Sequence, residues 1–190
     1  FLALDEKIDR KKVNNNKVDF ELNYSWEKAE KIDVDTLQKR DKWQSLFMPS
    51  GAFVSGRVDI THWLTFGATD TIPLLYSNYP VLMSDSKTDA VIRIGELSSN
   101  EDVNTYRSLN WSDVPPGNDL NIRMSGLVWP EASVRTANSA YLTQETYGNG
   151  QIILFSGEPN FRGSSLGTNR LWLNAVVYGS GLGTTLNLSL

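Results

Sequence analysis

Two groups of side chains in this 190-residue chain have the types and spacing that chemistry needs. The first is Asp59-Ile60-Thr61-His62. An aspartate that orients a histidine makes a general base, and His62 is the sole histidine of the sequence. If Val58 to Ile60 is a strand, alternation sends residues 59 and 62 to opposite faces unless the chain turns between them. No nucleophile stands nearby in sequence. The simpler expectation is that Thr61-His62 ends the strand and His62 hydrogen-bonds a neighbouring backbone group. The second group is Glu158-Pro159-Asn160-Phe161-Arg162. Arg162 could hold a carboxylate, such as the end of a peptide, through two parallel hydrogen bonds. The competing expectation pairs Arg162 with Glu158 or with backbone carbonyls, fixing a strand-to-helix crossing that Phe161 pins to the core. Glu158, Asn160, Arg162 and His62 are the candidate ligand or interface residues. No catalytic, cofactor-binding or metal-ligating residue is assigned.

Composition narrows the chemistry further. Cysteine is absent, which excludes disulfides, thiolate ligands and a cysteine nucleophile. One histidine cannot build a His-rich zinc centre, which draws on several ligands. The net charge is −4, so binding to nucleic acid or to an anionic membrane surface is not expected. No apolar run approaches the ~18 residues of a membrane span. Six tryptophans raise a carbohydrate-binding alternative. Trp63 and Trp172 lie in apolar surroundings that suit a core or a domain interface. Trp111 and Trp129 flank loops and are the better candidates for exposure, but nothing in the spacing suggests a flat row.

The elements that must position these groups are partly readable. Gly148-Asn149-Gly150 signals a turn, and Ile152 to Phe155 has the length and composition of a buried strand. Pro159 stops it. Thr168 can then cap a helix with Leu171, Ala175 and Tyr178 on one face and Gly179 past its end. Upstream, residues 52–60, 72–76 and 90–94 read as strands. Asp35-Thr36-Leu37-Gln38 has the form of a capping box that starts a helix through about Trp43. Residues 110–118 form a loop around Pro115-Pro116-Gly117. Residues 121–124 and 134–142 fit strand or helix equally. Residues 1–42 carry 10 basic and 10 acidic side chains of the chain's 18 and 22, so they read as a charged, partly flexible segment whose Arg10-to-Lys17 run is solvated surface. Residues 43–180 would form the domain and 181–190 a tail. A start at Phe1 suggests a fragment or processed form. The sum is an α/β fold with a strand-rich mixed sheet and one C-terminal helix.

Two blocks resemble the C-terminal region of bacterial carboxypeptidase A-like zinc peptidases. They are residues 49–67, with Asp59, Thr61-His62, Leu64 and Gly67, and residues 150–179, with Asn160-Phe161-Arg162, Gly167-Thr168-Asn169 and Asn174-Ala175. In a branch of that family the catalytic domain is followed by a domain similar to class I glutamine amidotransferases. The resemblance implies an incomplete flavodoxin-like domain. It would serve as a non-catalytic accessory domain that packs against or regulates the peptidase domain of the same polypeptide, periplasmic or secreted. Zinc is expected only in that missing domain, since the family's His-x-x-Glu pair and later His have no counterpart here. The amidotransferase triad lacks its cysteine as well, so no cofactor is expected in this chain. The alternative is an independent module of the cell envelope that binds peptide or glycan.

Overall fold

Apolar, β-branched stretches bounded by turn residues fold as the strands that their composition favours. The structure, a computed structural model, describes residues 34–82, 84, 88–99, 107–109, 112–114, 117–182 and 184. The expectations for Arg10–Lys17, Asn110-Trp111, Pro115-Pro116 and the end of the tail lie outside the described residues. The chain divides into two compact units, 1–46 and 47–190. In the first, α1 (Val34–Gln44) has Asp35 in its first turn and Lys42 in its last, charges that complement the helix dipole. Asp35 sits inside the helix, not at the cap position that the capping-box reading gave it.

The second unit is built on one sheet. Its strands are β1 (Ala52–Val58), β2 (Thr71–Tyr76), β3 (Thr88–Ile94), β8 (Arg123–Ser125), β9 (Ala140–Tyr147) and β10 (Gly150–Phe155). They lie in the order β10-β9-β3-β1-β2, and β8 shares one edge of β1 with β3. Two small hairpin-like pairs stand apart: β4 (Glu96–Ser99) with β7 (Asn118–Asn121), and β5 (Arg107–Leu109) with β6 (Ser112–Val114). Ser55 sits where the β1 edge passes from β3 to β8. Its N–H donates to Ile122 O and its carbonyl accepts from Gly95 N–H, both at 2.8 Å. Its hydroxyl donates to Asn121 O.

Every strand pair among the described residues is antiparallel. This corrects the expected mixed sheet. Parallel pairing needs a crossover of a dozen or more residues, whereas β9 and β10 are joined by the expected Gly148-Asn149 turn. Of the undecided segments, 134–142 straddles two elements, α2 (Pro130–Thr136) and the start of β9, and 121–124 spans the junction of β7 and β8. Thus a second helix joins the expected one in this unit.

Directly paired strand residues point to the same side of a sheet. Val58 and Ile92, Val54 and Leu74, and Leu142 and Phe155 accordingly share the inner face. The 13-residue α3 (Leu166–Tyr178) covers it, with Leu171 fully buried in the cluster. Each fully buried aliphatic side chain here contributes roughly 1.5–3 kcal/mol. The sequence expectation that Thr168 caps α3 is corrected. Ser165 holds the N-cap position, and the Thr168 hydroxyl lies one turn inside, 3.4 Å from Ser165 O. β10 is an edge strand rather than a fully buried one, for Ile152 and Leu154 are exposed on its outer side.

Candidate functional site

Aspartate at a strand end can fold its carboxylate back on the backbone two residues ahead, and Asp59 does so. Its Oδ1 accepts from Thr61 N–H at 2.9 Å and Thr61 Oγ1 at 2.7 Å. These bonds, more than the nearby His62, hold its carboxyl below the usual range. The chain therefore turns after β1, and Thr65 Oγ1 closes the turn on Asp59 O (2.6 Å) and His62 O (2.7 Å). His62 caps the short 3-10 helix Trp63–Thr65: its Nδ1 accepts the Leu64 N–H at 3.2 Å.

This arrangement is not an Asp–His dyad. In a dyad, Nδ1 carries a proton toward the aspartate, whereas here Nδ1 is an acceptor and the Asp59 carboxylate is spent on Thr61. The proton then belongs on Nε2, and the Gln144 side chain is near enough to favour the protonated ring. Burial lowers the His62 pKa from its ordinary 6.5, against the opposing pull of Asp89, Asp59 and Gln144. The imidazole is thus neutral at pH 7.

Near His62 a relay of amides runs along the inner face of the sheet. Gln144 on β9 pairs directly with Asp89 on β3 and is only 6% exposed. Its Nε2 donates to Gln151 Oε1 at 3.0 Å. Gln151 Nε2 in turn donates to Gly179 O (2.6 Å) and Leu182 O (2.7 Å), just past α3. A second tie is Asn174 of α3, whose Nδ2 donates to Leu64 O (2.9 Å) and Phe66 O (3.0 Å). Gly67 follows with φ +74°, and a Cβ there would stand 2.2 Å from Arg170 Nη1. The left-handed φ is what favours glycine there, since the guanidinium end of Arg170 is flexible and can move aside.

Sequence reasoning missed Gln144, Gln151, Asp89 and Asn174. Gln144 was findable in part: it is in phase with Leu142, so alternation turns it inward.

The 158–162 loop lies beyond the opposite end of β10 from Gln151, so the structure does not join it to His62. Glu158, Asn160 and Arg162 are all exposed. Arg162 has φ 50° and its guanidinium rests over the Phe161 ring, 5.1 Å from the centroid. Among the described residues it pairs with neither Glu158 nor a carbonyl. The loop's place after a strand does not itself argue for a ligand, because the rule that sites ligands at strand ends belongs to parallel α/β sheets.

Among the described residues no three His, Cys, Asp or Glu side chains are grouped to hold a metal. The His62 surroundings do not suit zinc, since Nδ1 is engaged by a backbone N–H and no group of three ligands includes the ring among the described residues. No described helix is long and apolar enough to cross a membrane. Of the tryptophans, Trp63 packs on the core, while Trp129 is exposed and meets Phe47 edge-on at 6.3 Å. Trp26 and Trp111 lie outside the described residues. Comparison with known proteins finds no matching family model, curated protein or solved structure.

Proposed function

We propose that this chain is a non-catalytic accessory domain that docks on a neighbouring domain through the outward face of α3. One observation carries the reading. Trp172, Leu173, Val176 and Val177 form a contiguous apolar face, exposed at 39%, 52%, 60% and 61%. Residues three and four apart on a helix are neighbours, so these side chains form one patch. Single exposed apolar residues are ordinary, whereas a contiguous patch marks an interaction surface.

The resemblance supplies the occupant: the peptidase domain of a zinc metallocarboxypeptidase-like polypeptide, periplasmic or secreted, with zinc held in that domain. An amidotransferase-like origin belongs to the same proposal in reduced form. What this chain shares with that fold is the strand–loop–helix order of residues 150–178, while its antiparallel sheet is not the parallel one. The engaged Nδ1 of His62 supports a positioning role for that residue. The rival reading, a cell-envelope module binding glycan or peptide, draws on the exposed indole of Trp129, which lies outside the α3 patch, and on the exposed 158–162 loop. The helix face favours docking over it.

The test is hydrolysis of peptides with free or blocked C-termini, with and without zinc, by this chain and by a polypeptide that also carries the peptidase domain. Activity confined to the longer polypeptide is expected. Zinc-dependent hydrolysis by the chain alone would overturn the proposal.

A further inference from the structure

The outer face of the sheet carries a second feature, independent of the helix patch. Arg57 on β1 and Arg93 on β3 are direct cross-strand partners, so they share a face, opposite Val58 and Ile92. Both are half-buried. Like charges placed directly opposite on antiparallel strands repel, and a cation withdrawn from water needs a counter-charge or strong hydrogen bonds. Burial lowers the pKa of both guanidinium groups, and Arg93 adds to the effect at Arg57.

Neutral oxygens hold the pair in place. Arg57 Nη2 donates to Asn138 Oδ1 at 2.7 Å and Nη1 to Gly95 O at 3.4 Å. Arg93 Nη1 donates to Asn138 O at 3.2 Å and Nη2 to Ser84 Oγ at 2.9 Å. Asn138 itself sits at φ 55°, a region that few non-glycine residues adopt. In that conformation it offers its side-chain oxygen to one guanidinium and its main-chain oxygen to the other, so the two converge. Among the described residues no carboxylate forms an ion pair with either. Each guanidinium spends one N–H on each terminal nitrogen, and its remaining N–H groups have no protein acceptor among those residues.

We infer that Arg57 and Arg93, set by Asn138, bind a tetrahedral oxyanion, namely phosphate or a phosphate monoester. The charge argues for phosphate over a carboxylate: a phosphate dianion balances two guanidinium charges, and one carboxylate leaves one of them unbalanced. Its several oxygens can also accept from two planar forks at once, the geometry in which arginine binds phosphate most strongly.

Calorimetric titration with inorganic phosphate and with glycerol 3-phosphate, in chloride buffer at fixed ionic strength, tests the site. Saturable binding with a Kd of ~1 mM or tighter is expected. Arg57→Gln and Arg93→Gln should each weaken it about tenfold, the loss of one charge-assisted fork. Stronger binding of the ester assigns the site to a phosphorylated ligand, and equal binding assigns it to free phosphate. Should the variants not fold, the wild-type melting temperature serves instead, rising saturably with phosphate and not with matched chloride. Absence of saturable binding by the wild type, or binding that both substitutions leave intact, overturns the inference.

Discussion

At the scale of single residues, His62 is where pH enters. Its folded pKa lies below 6.5, so the folded state resists a proton that the unfolded chain accepts. The stabilisation it gives is complete above 6.5 and is lost as pH falls from there through the depressed folded value. Protonation would also remove the lone pair that caps Leu64 N–H. Wild type should therefore melt lower at pH 5 than at pH 7.5. His62→Asn, which can still accept the capping bond, should lose that part of the pH slope. Thermal melts across this range decide it, and identical slopes for the two proteins would contradict the assignment. Asn174 offers a sharper stability test. Its amide satisfies the carbonyls of Leu64 and Phe66, so Asn174→Ala should cost about 1–3 kcal/mol by denaturant titration. A loss near zero would mean that water replaces the amide without penalty. The backbone bond of His62 was the expectation from sequence, because its partner Leu64 stands two residues on. The role of Asn174 was not visible, because the carbonyls it meets lie 110 and 108 residues away in the chain.

At the scale of elements, legibility followed how local the cause was. β1, β2 and β3 were readable because their apolar and β-branched content acts within a few residues. The Gly148-Asn149 turn and the end of α3 at Gly179 were readable for the same reason. The start of α2 had its own signals, Pro130 at the first turn and Glu131 beside it, but the 134–142 window straddled its end and hid them. Strand direction was not readable, since pairing is chosen by contacts far apart in sequence. The buried amide relay was hidden because Thr143-Gln144-Glu145 looks like a polar strand surface until Gln151 is brought alongside. α3 has two faces with opposite predicted behaviour. Leu171→Ala on the buried side should cost about 2–5 kcal/mol. Leu173→Lys on the exposed side should change stability by no more than about 0.5 kcal/mol. Parallel denaturation curves separate the two, and equal losses would mean that the outer face is already covered within this chain.

At the scale of the whole molecule, the question is what the outward face of α3 meets. Apolar area of this kind is stable in a larger assembly and a liability when left bare. The absence of cysteine from the sequence permits a clean probe. Val177→Cys would place the chain's single thiol in the centre of the exposed patch, and a maleimide reports its accessibility as a labelling rate. The rate should be measured in this chain alone and in a longer polypeptide that carries the proposed peptidase domain. Docking through α3 predicts fast labelling in the isolated chain and labelling at least about tenfold slower in the longer polypeptide, the signature of a buried thiol. Equal rates in the two would contradict the account.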